Sequence, residues 1–119
     1  MANSNTFYTK RNSPARPIRA TLKNPDGTAV DLSPVGTAVV FVMKSRTAAD
    51  DDNEKVRATA SIVSPASAGV VQYQWVGGDV DTAGQFNAEW QVNWSGGLVE
   101  TFPSRGYNTV LIEADLDNQ

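Results

Sequence analysis

An all-β fold, an antiparallel sandwich of seven to eight short strands, follows from three observations. Apolar and polar residues alternate with a period of two along several segments. Turn-forming residues divide those segments at roughly 8–14-residue spacing, the rhythm of a sandwich or barrel. No stretch of about ten residues carries the 3.6-residue period of a helix.

The elements read in order as follows. Residues 1–16 are polar, and Pro14 and Pro17 hold the chain extended on either side of Ala15 and Arg16. They predict an extended basic arm rather than part of the domain body. Ile18, Ala20 and Leu22 alternate with Arg19, Thr21 and Lys23 as a first strand. Asn24-Pro25-Asp26-Gly27 makes a turn into a short return strand at Thr28-Ala29-Val30. From Thr37 to Lys44 the chain is most apolar: Val39, Phe41 and Met43 share one face, Val40 and Val42 the other. That pattern fits a central strand, or one whose outer face meets another subunit. Ser45 to Lys55 reads as a loop, and Val56, Ala58, Ala60 and Ile62 mark the next strand.

After the turn at residues 64–69, Val71, Tyr73 and Trp75 alternate with Gln72 and Gln74. Glycine pairs then bracket an acidic connection. Phe86, Ala88, Trp90, Val92 and Trp94 alternate without a break against Asn87, Glu89, Gln91 and Asn93. Two tryptophans and a phenylalanine on one face can anchor a core, since each aromatic buries about 150–250 Å². Ser95-Gly96-Gly97 is a tight hairpin turn, and the chain returns over Leu98 to Phe102. Pro103 and Gly106 shape the next turn, with Phe102 and Tyr107 flanking it. Val110, Ile112 and Ala114 close the domain. The expected organisation is a basic arm at 1–16, a β-sandwich domain at 17–115 and an acidic tail at 116–119. The sandwich is expected to be immunoglobulin-like, without a disulfide. Its core should centre on Trp90, with Ile18, Leu22, Phe41, Tyr73, Phe86, Val92 and Ile112 around it.

Composition narrows the chemistry. The chain has 119 residues with 40% hydrophobic content, enough for one domain with a real core. Cysteine and histidine are both absent, which excludes Ser-His-Asp and Cys-His catalysis and His- or Cys-ligated zinc. No apolar run approaches the ~20 residues of a membrane-spanning helix. Met1 is followed by no apolar leader, so a protein made and assembled in a cytoplasm is expected.

The net charge of −3 hides an asymmetry. Lys10, Arg11, Arg16, Arg19 and Lys23 stand in the first 23 residues without one acidic residue; the remainder carries a net −8. A basic segment on an acidic body suits a protein partner or a second copy better than nucleic acid, for which the aromatic interleaving is thin. Phe7, Tyr8, Lys10, Arg11 and Arg16 are therefore the expected partner-binding residues. An extended segment of sixteen residues reaches roughly 50 Å, past one domain to its neighbour. Its deletion is expected to leave a folded domain that no longer assembles.

Other constellations have plainer readings. Asp50-Asp51-Asp52-Asn53-Glu54 lacks the glycine and final glutamate of an EF-hand loop and reads as a solvated hairpin tip, with calcium the alternative. Glu89, Glu100 and Glu113 occupy polar positions of three strands, where charges normally sit; as a carboxylate pair they would suggest a glycosidase. Trp75, Trp90 and Trp94 suggest a carbohydrate platform, but core packing suits Trp90 and a rim position suits Trp94. Neither an enzyme nor a cofactor is expected.

Three pieces stand in a set order: Ile18 to Leu32 with its Asp26-Gly27 turn, Gly69-Val70-Val71-Gln72-Tyr73, and Thr82-Ala83-Gly84 leading through the aromatic strand to Phe102-Pro103-Ser104-Arg105-Gly106-Tyr107. This order resembles the N-terminal domain of the tailed-phage baseplate upper protein family over residues 16–114. The resemblance implies a small immunoglobulin-like virion protein, an anchoring module that joins components of the baseplate, tail, neck or capsid surface through symmetric contacts. Members of that family continue into a receptor-binding region, whereas this sequence stops at Gln119. A stand-alone module recognising carbohydrate or a host surface is the alternative.

Overall fold

The longest strand organises the molecule. In the computed structural model, which describes residues 6–46, 54–103 and 108–116, the aromatic segment forms strand β6 (Gly84–Asn93). One edge of β6 pairs antiparallel with β3 (Ala38–Ser45) from Ala38↔Asn93 to Ser45↔Phe86. Its other edge is shared: Gly84–Ala88 pairs with β8 (Asn108–Glu113), and Trp90–Asn93 with β7 (Val99–Phe102). The remaining strands are β1 (Thr6–Lys10), β2 (Ile18–Thr21), β4 (Val56–Ile62) and β5 (Val70–Tyr73).

About half of the structure is strand, and no α-helix occurs among the described residues. The order across the sheet is β1-β8-β6-β3-β4-β5-β2, with β7 beside β6, and the eight strands curl into a nearly closed barrel. The corner is turned by β4. Its residues Val56–Ala60 pair with β3, whereas Ser61 and Ile62 pair with β5. The expected return strand at Thr28–Val30 is shorter than a ladder: Lys23 and Ala29 form a single bridge, and the Val30 N–H donates to the Leu22 carbonyl.

Alternation places side chains as the pleat requires. Phe86, Ala88, Trp90 and Val92 lie inside, and Ile18, Leu22, Phe41, Tyr73 and Ile112 are buried with them. Trp90 is wholly enclosed. Phe41 packs on it at 4.8 Å between ring centroids, stacks on Tyr73 at 5.0 Å, and meets the edge of Trp75 at 5.6 Å. This cluster bonds β3, β5 and β6 across the interior, each aromatic pair adding about 0.5–1.5 kcal/mol beyond its area.

Gly69 fastens the entry to β5 against Leu22 and Val30. Its φ of +72° is left-handed, and a Cβ there would sit 2.8 Å from the Val30 carbonyl oxygen and 3.0 Å from that of Leu22. Only glycine fits both the conformation and the gap.

Two expectations are corrected. The arm is not free over residues 6–16: Thr6–Lys10 is strand β1, paired with β8 from Thr6↔Thr109 to Lys10↔Glu113. That pairing is parallel, so the sheet is not wholly antiparallel. The reason is physical: Thr, Phe and Tyr favour a half-buried pleated surface, and the outer edge of β8, distant in sequence, supplies one. The expected boundary at residue 17 therefore falls inside the folded unit.

Candidate docking site

The site is the unclosed seam of the barrel, where the first two strands stand side by side without pairing. On β1, Phe7 turns inward and packs on Trp75 at 5.8 Å, while Tyr8 turns outward and is 64% exposed. Charge secures the strand's far end. Lys10 lies 3.5 Å from Glu113, and the Arg11 guanidinium donates to the Asp115 carboxylate at 2.9 and 2.7 Å. The Arg11–Asp115 pair is mostly buried, with about a fifth of each side chain exposed. Beyond it, Asn12 takes a φ of 64° and its N–H donates to the Val80 carbonyl; Gln74 Nε2 donates to the Pro14 carbonyl. The two prolines thus lead the chain around the barrel's end into β2. Of the five residues expected to bind a partner, Phe7, Lys10 and Arg11 are engaged within the chain. Tyr8 and Arg16 face solvent.

On β2, Ile18 turns inward and Arg19 outward. One edge of β2 pairs with β5, and among the described residues its other edge pairs with no strand. Between β1 and β2 lies a cleft of about 710 Å³, lined by Phe7, Ile18, Arg19, Ala20, Lys23 and Asn108, among others. Among the described residues its charged lining groups are both basic. Arg19 donates to Gln72 Oε1 at 3.1 and 2.6 Å, a neutral partner, and neither Arg19 nor Lys23 pairs with a carboxylate among the described residues. Asn108 is the one buried polar residue among the described residues.

The other candidates do not converge on a reaction. Glu100 pairs opposite Val92, three residues along β6 from Glu89 and about 10 Å away at strand rise; Glu113 lies beyond the Ile112–Gly84 pair, at least five residues off. Glu113 faces Lys10, and Glu100 accepts from Trp94 Nε1 at 3.4 Å. Burial alone pushes the Glu89 carboxyl up. The Tyr73 hydroxyl donates to Asp79 Oδ2 at 2.6 Å, and the Val76 N–H donates to the same oxygen. Burial first, and then that hydrogen bond, hold the phenol above its ordinary value, so Tyr73 is a structural donor here.

Trp75 and Trp90 are both core residues and offer no open ring to a sugar; Trp94 is half-buried beside the hairpin. Phe102 is buried and ends β7, with Pro103 next to it, while Gly106 and Tyr107 lie outside the described residues. So do Asp50–Asn53 of the acidic run; Glu54 is described, and accepts from Arg57 at 3.2 Å. Among the described residues no cluster of three acidic groups could hold a metal ion.

A second surface escaped the reading of the sequence. Val35, Leu98 and Val99 are largely exposed, and the loop at Gly36 approaches the Ser95 turn closely enough that a Cβ would lie 3.1 Å from Ser95 Cβ. Their spacing in the chain gave no sign of it, because the two loops meet only in the fold. Compared with known proteins, the chain matches no family model and no curated sequence.

Proposed function

We propose that this protein is a docking module of a tailed-phage particle, joining virion components of the baseplate, tail, neck or capsid surface. On this reading the barrel is a variant of the immunoglobulin-like sandwich, with β4 passing from the larger group of strands to the smaller. The observation that carries the docking role is the seam: two strand edges that, among the described residues, are unpaired and stand beside cations without carboxylate partners. Such edges are templates for another chain unless they are covered. The phage setting is supported by the ordered motifs from Ile18 to Tyr107, and partners would be other virion proteins or further copies.

Mass spectrometry of purified particles tests the setting. The protein should co-purify with the particle at a fixed copy number and should stay bound through a density gradient. Its absence from the particle would sink the virion assignment.

A further inference from the structure

We propose that the seam between β1 and β2 accepts one extended, acidic strand from a partner protein, which closes the barrel by β-addition. The proposal deepens the docking reading, but it does not depend on where in a particle the protein sits.

Backbone direction makes the insertion possible. From β2 through β5, β4, β3, β6 and β8 every step is antiparallel, and the last step to β1 is parallel. Following those reversals around the sheet, β1 and β2 run in opposite senses. A single strand between them would lie parallel to one and antiparallel to the other, and both ladders are allowed. The cleft of about 710 Å³ falls within the range of about 300–1,000 Å³ that ligand sites occupy. The edge Ile18–Thr21 is four residues long, or about 13 Å at strand rise.

Side-chain chemistry specifies the occupant. Successive residues of an added strand point to opposite faces. Its inward side chains would meet Phe7, Ile18 and Ala20, which suit small apolar groups. Its outward side chains would run beside Arg19 and Lys23, which share the outer face and lack carboxylate partners among the described residues. Alternating apolar and acidic residues satisfy both rows. A second copy docking β2 against β2 would instead set these cations against their own kind, which is unfavourable.

The test uses the full chain, isotopically labelled, and a blocked octapeptide of alternating Val and Glu. Titration to a few times the ~1 mM dissociation constant expected of a short free strand should shift the amides of Thr6–Lys10 and Ile18–Lys23 above all others. A peptide with Lys in place of Glu should bind at least about tenfold more weakly. N-methylation of alternate amides should abolish binding. The double variant Arg19→Glu/Lys23→Glu, shown to be folded by its melt, should invert the charge preference.

Shifts centred elsewhere, equal binding of both peptides, insensitivity to N-methylation or no shift from any peptide would each overturn the proposal. So would concentration-dependent dimerisation that buries the same edge. A protein that enters particles yet fails these titrations docks through another surface. One that passes them but is absent from particles keeps its seam and loses its virion setting.

Discussion

The placement of β1 can be tested by a pair of substitutions on neighbouring residues. Phe7 is half-buried and contacts Trp75; Tyr8, on the other face, is mostly exposed. Full burial of a phenylalanine stabilises by about 1.5–3 kcal/mol, and roughly half of that is realised here. Loss of the aromatic pair adds about 0.5–1.5 kcal/mol. Phe7→Ala should therefore cost about 1.5–3 kcal/mol, and Tyr8→Ala less than about 0.5 kcal/mol. For a domain of this size that is a fall in Tm of roughly 5–15 °C against almost none. Urea unfolding followed by tryptophan fluorescence reads both, and an unchanged m-value would show that the same surface is still exposed on unfolding. Equal, negligible effects would return residues 6–10 to a free arm. A large effect at Tyr8 with none at Phe7 would mean that the register is slipped by one residue, since a slip exchanges the faces.

Further outcomes are expected. Trp90→Ala should cost about 3–5 kcal/mol. Trp90→Phe should cost under about 1 kcal/mol, because the indole N–H has no partner among the described residues and removing such a donor recovers about 1–3 kcal/mol; chemical denaturation of both variants checks this, and a large loss in the phenylalanine variant would show a missed bond. Gly69→Ala should cost at least about 2 kcal/mol through its backbone conformation and its contact with the Val30 and Leu22 carbonyls, and a melt within a degree or two of the parent would refute that packing. Stability should also fall in acid. Asp26, Asp31 and Asp81 titrate below their ordinary 3.8, held down first by Thr28, Ser33 and Lys55 respectively, and Glu54 titrates below 4.5, held first by its own backbone N–H and then by Arg57. A lowered folded value gives stability that is complete above the ordinary values and is lost as pH falls through the folded ones. Glu89, raised by burial, acts with the opposite sign: its cost is felt when it is ionised, so Glu89→Gln should be neutral to stabilising at pH 7 and without effect well below 4.5. Urea midpoints at neutral and acid pH read both trends, and a midpoint that rises in acid would contradict the first.

The sequence by itself determined what depends on near neighbours. A period of two is a local property of the pleat, so the alternation from Phe86 to Trp94 separated an inner face from an outer one without knowledge of any partner strand. The same holds for Val39, Phe41 and Met43, and for the turn at Asn24-Pro25-Asp26-Gly27, where Asp26 accepts from the Thr28 N–H and hydroxyl only two residues away. Tertiary structure decided everything that joins distant segments. Thr6–Lys10 looks like a polar arm until the edge of β8, about a hundred residues on, offers its hydrogen bonds; Arg11 looks like a free cation until Asp115 arrives beside it. Which sheet edges stay open, and hence where a docking seam can lie, depends on β4 turning between β3 and β5 and on β1 and β2 failing to meet. None of that is written in local spacing, because strand pairing is chosen by burial and backbone satisfaction summed over the whole sheet.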